Sequence, residues 1–355
     1  MSWRQIFTFL LLGFGVIQAQ DVVAEEEKRS IQSALANFPE DTHFAIAMVQ
    51  GGQTSFYGCI KKANGIVEVD NRKNLFEVGS ISKVFTATLL ANAVLESKVE
   101  LNASIKNHLG FDINNEYEFT FSQLANHTSG LPRMPGNFIF HTNDPKNPYK
   151  DYDIKALKEF LGKYITLPNY EKREYAYSNL GAGLLGYVLT KMYGQSYHEL
   201  LESKVFRKFG MVDTYGYVPK NHEKLTKGRN EKGEVTSNWD LNILAGAGAV
   251  VSNVEDMSKF ILAQFDVSDK TLALTREETY KINEDSAIAL GWHINQKVAY
   301  EPIFWHNGGT GGYRSCMALN IESKCGVIVL SNVSAFHQES SKIDNLSFDL
   351  LKMLD

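Results

Sequence analysis

Cysteine is scarce. Three in 355 residues (Cys59, Cys316 and Cys325) are too few for a disulfide-built scaffold, and none sits at a metal-ligand spacing. Cys316 and Cys325 could pair across a hairpin; buried free thiols are at least as good a reading. Excess positive charge is also missing. Lys and Arg total 36 against 41 Asp and Glu, a net charge of −5, so the chain lacks the field that gathers nucleic acid. No basic arm, internal repeat or low-complexity tract interrupts it. Beyond residue 17 no apolar run is long enough to cross a membrane as a helix.

The one long apolar run is residues 6–17, IFTFLLLGFGVI, preceded by Arg4 and followed by Gln18-Ala19-Gln20 and an acidic stretch. It is too short for a bilayer span and has the layout of a secretory signal. A signal peptide over 1–19 is therefore expected, giving an exported protein, periplasmic or secreted. No Cys follows the run to accept a lipid. Asn102, Asn126, Asn332 and Asn345 each open an Asn-x-Ser/Thr triplet, which matters only in a glycosylating host.

The rest is ordinary globular sequence, 44% hydrophobic and 22% charged, enough for one large domain or two interlocked ones. An amphipathic helix is expected over 22–38. Alternation over 43–50 and 55–61 about Gly51-Gly52 predicts a hairpin, followed by short strands at 66–69 and 75–78. From Ser80 the period becomes helical. Further helices are expected at 119–125, 152–164, 179–193, 196–209 and 255–265. Strands return at 289–293, 304–305, 313–320 and 326–330, before a closing helix at 340–354. Strands at both ends with helices between imply an α/β (α+β) fold: one sheet from 20–78 and 285–355, with a mostly helical region, 79–284, inserted.

Chemistry concentrates at Ser80-Ile81-Ser82-Lys83. A serine needs a base beside it to act as a nucleophile, and residues three apart on a helix share a face. A serine in a first helical turn also keeps its N–H free to hold an oxyanion. The spacing alone is weak, since a capped helix followed by a solvated lysine has the same pattern. The flanks decide: Phe76-Glu77-Val78-Gly79-Ser80-Ile81-Ser82-Lys83 resembles the active-site signature of class C β-lactamases at every position. That family is grouped with low-molecular-weight penicillin-binding proteins and related esterases. The run His127-Thr128-Ser129-Gly130-Leu131-Pro132 is similar to the family and stands in the expected order.

The resemblance implies an antiparallel sheet flanked by helices, beside a mostly helical domain, with the active site in the groove between. It carries over a Tyr-x-Asn motif at Tyr177-Ser178-Asn179. There Tyr177 shuttles a proton, as phenolate or as a phenol coupled to Lys83, and Asn179 bonds Lys83 and substrate. It implies a third motif at His306-Asn307-Gly308, with the N–H of Gly309 as second oxyanion donor. Two departures stand out. His306 takes the place of the usual β-lactamase Lys, as in several peptidases and esterases, and Met134, beside Arg133, takes the place of a Gln. His127 and His293 lack a ligand spacing and read as structural. The expectation is an acyl-transfer hydrolase without metal or organic cofactor, monomeric, acting on a small molecule. A β-lactam is the first choice. A D-amino-acid peptide or small ester is the alternative, and a covalent β-lactam receptor without turnover a distant third.

Overall fold

The computed structural model describes residues 23–168, 170–296 and 301–355; the expected signal peptide lies outside them. The first strands are β1 (His43–Gln50), β2 (Gln53–Lys62) and β3 (Gly65–Glu68). β4 (Phe76–Glu77) pairs with β5 (Val251–Ser252) in a separate ladder. Then come β6 (Tyr280–Asn283), β7 (Ser286–Ile288), β8 (His293–Asn295), β9 (Ile303–Gly309), β10 (Arg314–Asn320) and β11 (Cys325–Ser331). The large sheet runs β3-β2-β1-β11-β10-β9-β8-β7-β6, antiparallel throughout. β1 lies against β11, Ala45 opposite Leu330, so the two ends of the chain meet in its middle.

The elements follow from the residues. Gly51 and Gly52 both have positive φ, +57° and +83°, the geometry of a two-residue hairpin turn. In β1, Phe44, Ile46 and Met48 face one layer, and Ala45, Ala47 and Val49 the other. Five described helices exceed ten residues: α1 (Glu25–Leu35), α2 (Ser82–Leu95), α3 (Asn179–Tyr193), α4 (Val254–Gln264) and α5 (Ser341–Leu354). α1 and α5 cover the first sheet face through Ile31, Leu35, Ile343, Leu346 and Leu350. Met257, Phe260 and Ile261 of α4 join the larger core on the second face. There α2 is buried on almost every side, as a central helix must be.

The expected strand over 289–293 is instead a turn. Ala289 N–H donates to the carbonyl of Trp292, and Gly291 has φ +75°; β8 begins only at His293. Leu290 and Trp292 are apolar because they are buried in that turn. The single helix expected over 196–209 is an α-turn, Tyr197–Leu201, followed by a π-helical stretch, Glu202–Phe206. β6, half polar and alternately exposed, left no apolar pattern to read. All three cysteines are buried and free. The β10–β11 register sets Cys316 opposite Val329 and Cys325 opposite Asn320, so the hairpin disulfide does not form.

Candidate active site

Between β4 and α2 the chain turns sharply. Gly79 has φ +52°, and Gly79–Ile81 is one 3-10 turn, so Ser80 precedes the α-helix rather than opening it. A Cβ on Gly79 would lie 2.4 Å from the nitrogen of Gly309, and one on Gly308 1.9 Å from the carbonyl oxygen of Val78. Only glycine at both places lets the Ser80 turn lie against β9. The Ser315 hydroxyl, donating to the same carbonyl at 2.8 Å, fixes that contact.

Lys83 lies on the next turn, 3% exposed. Its Nζ is 2.9 Å from Ser80 Oγ, 2.9 Å from Asn179 Oδ1 and 2.7 Å from the carbonyl oxygen of Ala247. Burial, and then the Arg133 charge, hold its pKa well below the usual lysine value. Among the described residues no carboxylate contacts the amine.

Asn179 and Tyr177 flank the start of α3. The Ser178 hydroxyl caps that helix, accepting from Gly181 N–H at 2.8 Å and donating to the Pro132 carbonyl at 2.7 Å. His127, at φ +63°, accepts from Ser178 N–H through Nδ1 at 3.2 Å, and its carbonyl accepts from Ala176 N–H at 2.8 Å. The loop after residue 126 thus pins the Tyr-x-Asn segment. The Tyr177 phenol faces Ser80, and Lys83 Nζ is 4.8 Å from the Tyr177 ring centroid. Burial raises the phenol above its ordinary pKa.

β9 forms the facing wall. His306, 1% exposed, points inward beside His293 (ring centroids 5.1 Å) and Tyr177 (6.2 Å). His127 is 4.5 Å from Tyr177. Burial is the first cause that lowers all three imidazoles, His293 to about 4 and the other two well below the usual histidine value, so each is neutral at pH 7. The Asn307 side chain points the other way and donates to Asp344 Oδ2 at 2.7 Å. Among the described residues no cluster of His, Cys, Asp or Glu is arranged to hold a metal.

These walls enclose a cavity of about 360 Å³ lined by Ser80, Tyr177, Asn179, Asn307, Gly308 and Gly309 among others. Of the residues expected at the site, Lys83 and His306 lie buried behind this lining, and Asn307 reaches it with its side chain turned away toward Asp344. His293, expected to be structural only, also lines it. Sequence reasoning missed Tyr149, Trp239, Thr310, Arg314 and Phe336. Tyr149 accepts from Asn179 Nδ2 at 3.4 Å and packs on Trp239, ring centroids 5.2 Å apart. It also missed the Ala247 carbonyl, a backbone group that any residue could supply.

A β-lactamase family model matches residues 36–350. The chain belongs to the β-lactamase family. It is 28% identical over 262 residues to a β-lactamase of Providencia stuartii, a match covering 72% of this chain and 63% of that protein, which is therefore substantially longer. A penicillin-binding protein of Bacillus subtilis is 26% identical over 336 residues, 87% of this chain and 72% of the relative. A class C β-lactamase of Rhodobacter sphaeroides superposes with TM-score 0.76 at 20% identity, covering 93% of this chain and 99% of the other. A β-lactamase/D-alanine carboxypeptidase of Pseudomonas syringae gives 0.74 at 21%, covering 93% and 98%. The fold is the β-lactamase/transpeptidase one. No described helix is long and apolar enough to cross a membrane.

Proposed function

We propose that Ser80 forms an acyl-enzyme and that the neutral amine of Lys83 is the base that activates it. The observation that carries this reading is the burial of Nζ among three uncharged oxygens, with no carboxylate among the described residues in contact with it. A neutral amine has two N–H groups, which the Asn179 and Ala247 oxygens accept, and one lone pair, which is left for the Ser80 O–H. A buried amine with no carboxylate beside it sheds its charge readily. Tyr177, whose buried phenol resists ionisation, then gives its proton to the leaving group and takes up in its place the one that Lys83 has received, so it acts as a phenol rather than a standing phenolate. The N–H groups of Ser80 and Gly309 receive the oxyanion, at about 3 kcal/mol per donor. Asn179 and β9, from His306 through Gly309, bind the substrate, and water releases the acyl group. The reaction needs no cofactor.

For substrate, the proposal is a β-lactam, met by an exported, monomeric enzyme. The nucleophile signature and the Providencia relative support it. A D-amino-acid peptidase or small-ester hydrolase is the second reading, favoured by the neutral His306 where a cation is usual and by Met134 beside Asn179. Turnover of a chromogenic cephalosporin, a p-nitrophenyl ester and a D-Ala-D-Ala peptide separates the two. The first reading expects the highest kcat/KM on the cephalosporin. Hydrolysis of ester or peptide with no cephalosporin turnover overturns it.

A further inference from the structure

The cavity wall carries charge of one sign. Arg133 and Arg314 line it, and no Asp or Glu does. Arg314 is already neutralised: Asp344 accepts from its Nε at 3.1 Å and from Nη2 as well. Arg133 has no such partner among the described residues. Its charge reaches Lys83, His127, Tyr149, Tyr175 and Tyr177.

Its placement is nonetheless fixed. The Arg133 carbonyl accepts from the N–H groups of Asn179 at 3.0 Å and Leu180 at 3.2 Å, so the residue is tied to the start of α3. From there its guanidinium lies 5.0 Å from the Tyr177 ring centroid, exposed to solvent. A cation over an aromatic face keeps its N–H fork free at the edges, and that fork matches a carboxylate in two parallel hydrogen bonds. Holding this charge beside Lys83 makes a positively charged amine harder to keep, so a role in charging Lys83 does not account for it.

We propose that Arg133 is a specificity residue that selects substrates bearing a carboxylate close to the scissile carbonyl. The inference rests on the acyl-enzyme reading above. The carboxylate belongs either to the acyl part or to the leaving group, and the test has an arm for each. In one arm, p-nitrophenyl hydrogen glutarate is compared with p-nitrophenyl valerate. In the other, the butyrate ester of 3-hydroxybenzoate is compared with phenyl butyrate.

The quantity read is the ratio of kcat/KM, anionic over neutral, each normalised to its hydroxide-catalysed rate. Wild type should favour the anion in at least one arm, and the arm identifies the side. In Arg133→Gln that ratio should fall by roughly tenfold, as expected when a charge-assisted pair is lost. Arg133→Lys should keep part of it, and added salt should reduce it in wild type. A ratio unchanged by Arg133→Gln in both arms overturns the proposal, whatever happens to either rate alone. Ser80→Ala is run alongside. If it still turns over these esters, the acyl-enzyme reading has failed; if it is inactive and the ratio does not move, only the role of Arg133 has.

Discussion

Ser80 and Lys83 could be read from the sequence through the family resemblance of residues 76–83; the one-turn spacing that relates them was too common to decide alone. Tyr177 and Asn179 were found through their motif and its order in the chain. The third partner of Lys83 was not, because a backbone carbonyl leaves no trace in residue identity. On the proposed mechanism Ser80→Ala should abolish turnover while the melting temperature stays close to wild type. Lys83→Met should slow acylation by roughly 10²–10⁴-fold, measured as the pre-steady-state burst rate. A variant lacking the Ser80 hydroxyl that retains turnover would contradict the assignment.

Glu77, three residues before the nucleophile, gives a second prediction at this scale. It is 3% exposed and accepts from Asn238 Nδ2 at 2.8 Å and Trp239 N–H at 2.9 Å, and burial raises its pKa to about 7. The unfolded chain releases this proton near 4.5. Between those values folding takes up a proton, so the contribution is fully present below 4.5 and is lost as pH rises through 7. The cost of the ionised form at pH 8 is roughly 3 kcal/mol. Glu77→Gln keeps an acceptor and cannot ionise. Its melting temperature should therefore gain on wild type between pH 5 and pH 8, and parallel curves would contradict this.

Among the elements, the helices bearing motifs were legible and their exact joins were not. The 3-10 turn Asn242–Ala247 delivers the Ala247 carbonyl to Lys83, and nothing in its composition announced that. What places it is close packing on α3. A Cβ on Gly186 would lie 2.7 Å from Gly246 Cα, and one on Gly183 2.9 Å from Leu244 Cα. Thr86 Oγ1, donating to the Gly246 carbonyl at 2.8 Å, ties the same turn to α2. Gly186→Ala must push the turn away. It should cost about 1–3 kcal/mol of stability, read by denaturant unfolding. It should also lower kcat per folded molecule, because the carbonyl leaves Lys83; a stability loss with kcat intact would argue against that positioning role.

Across the molecule, the return of the chain's two ends to one sheet was visible as strands flanking a helical middle. The order of strands was not, because pairing is settled by which apolar faces meet: alternation places Phe44, Ile46 and Met48 under α1 and α5, but no local pattern says that β11 will lie beside β1. The sheet's far edge, β6 to β8, escaped for the same reason, with short strands, polar residues and a buried turn between. The site is where these scales meet. A sheet strand, a central helix and a packed turn together exclude water from one amine.

That a buried, uncharged Lys83 takes the Ser80 proton is tested most directly by the pH dependence of the acylation rate in a rapid-quench experiment. If the resting amine is neutral, as proposed, the rate already stands on its plateau at neutral pH; burial, which holds the Lys83 pKa well below its ordinary value of 10.5, favours that form. A rate that climbs about tenfold per pH unit from neutrality toward that value would mean that the base is charged at rest, and would contradict the account.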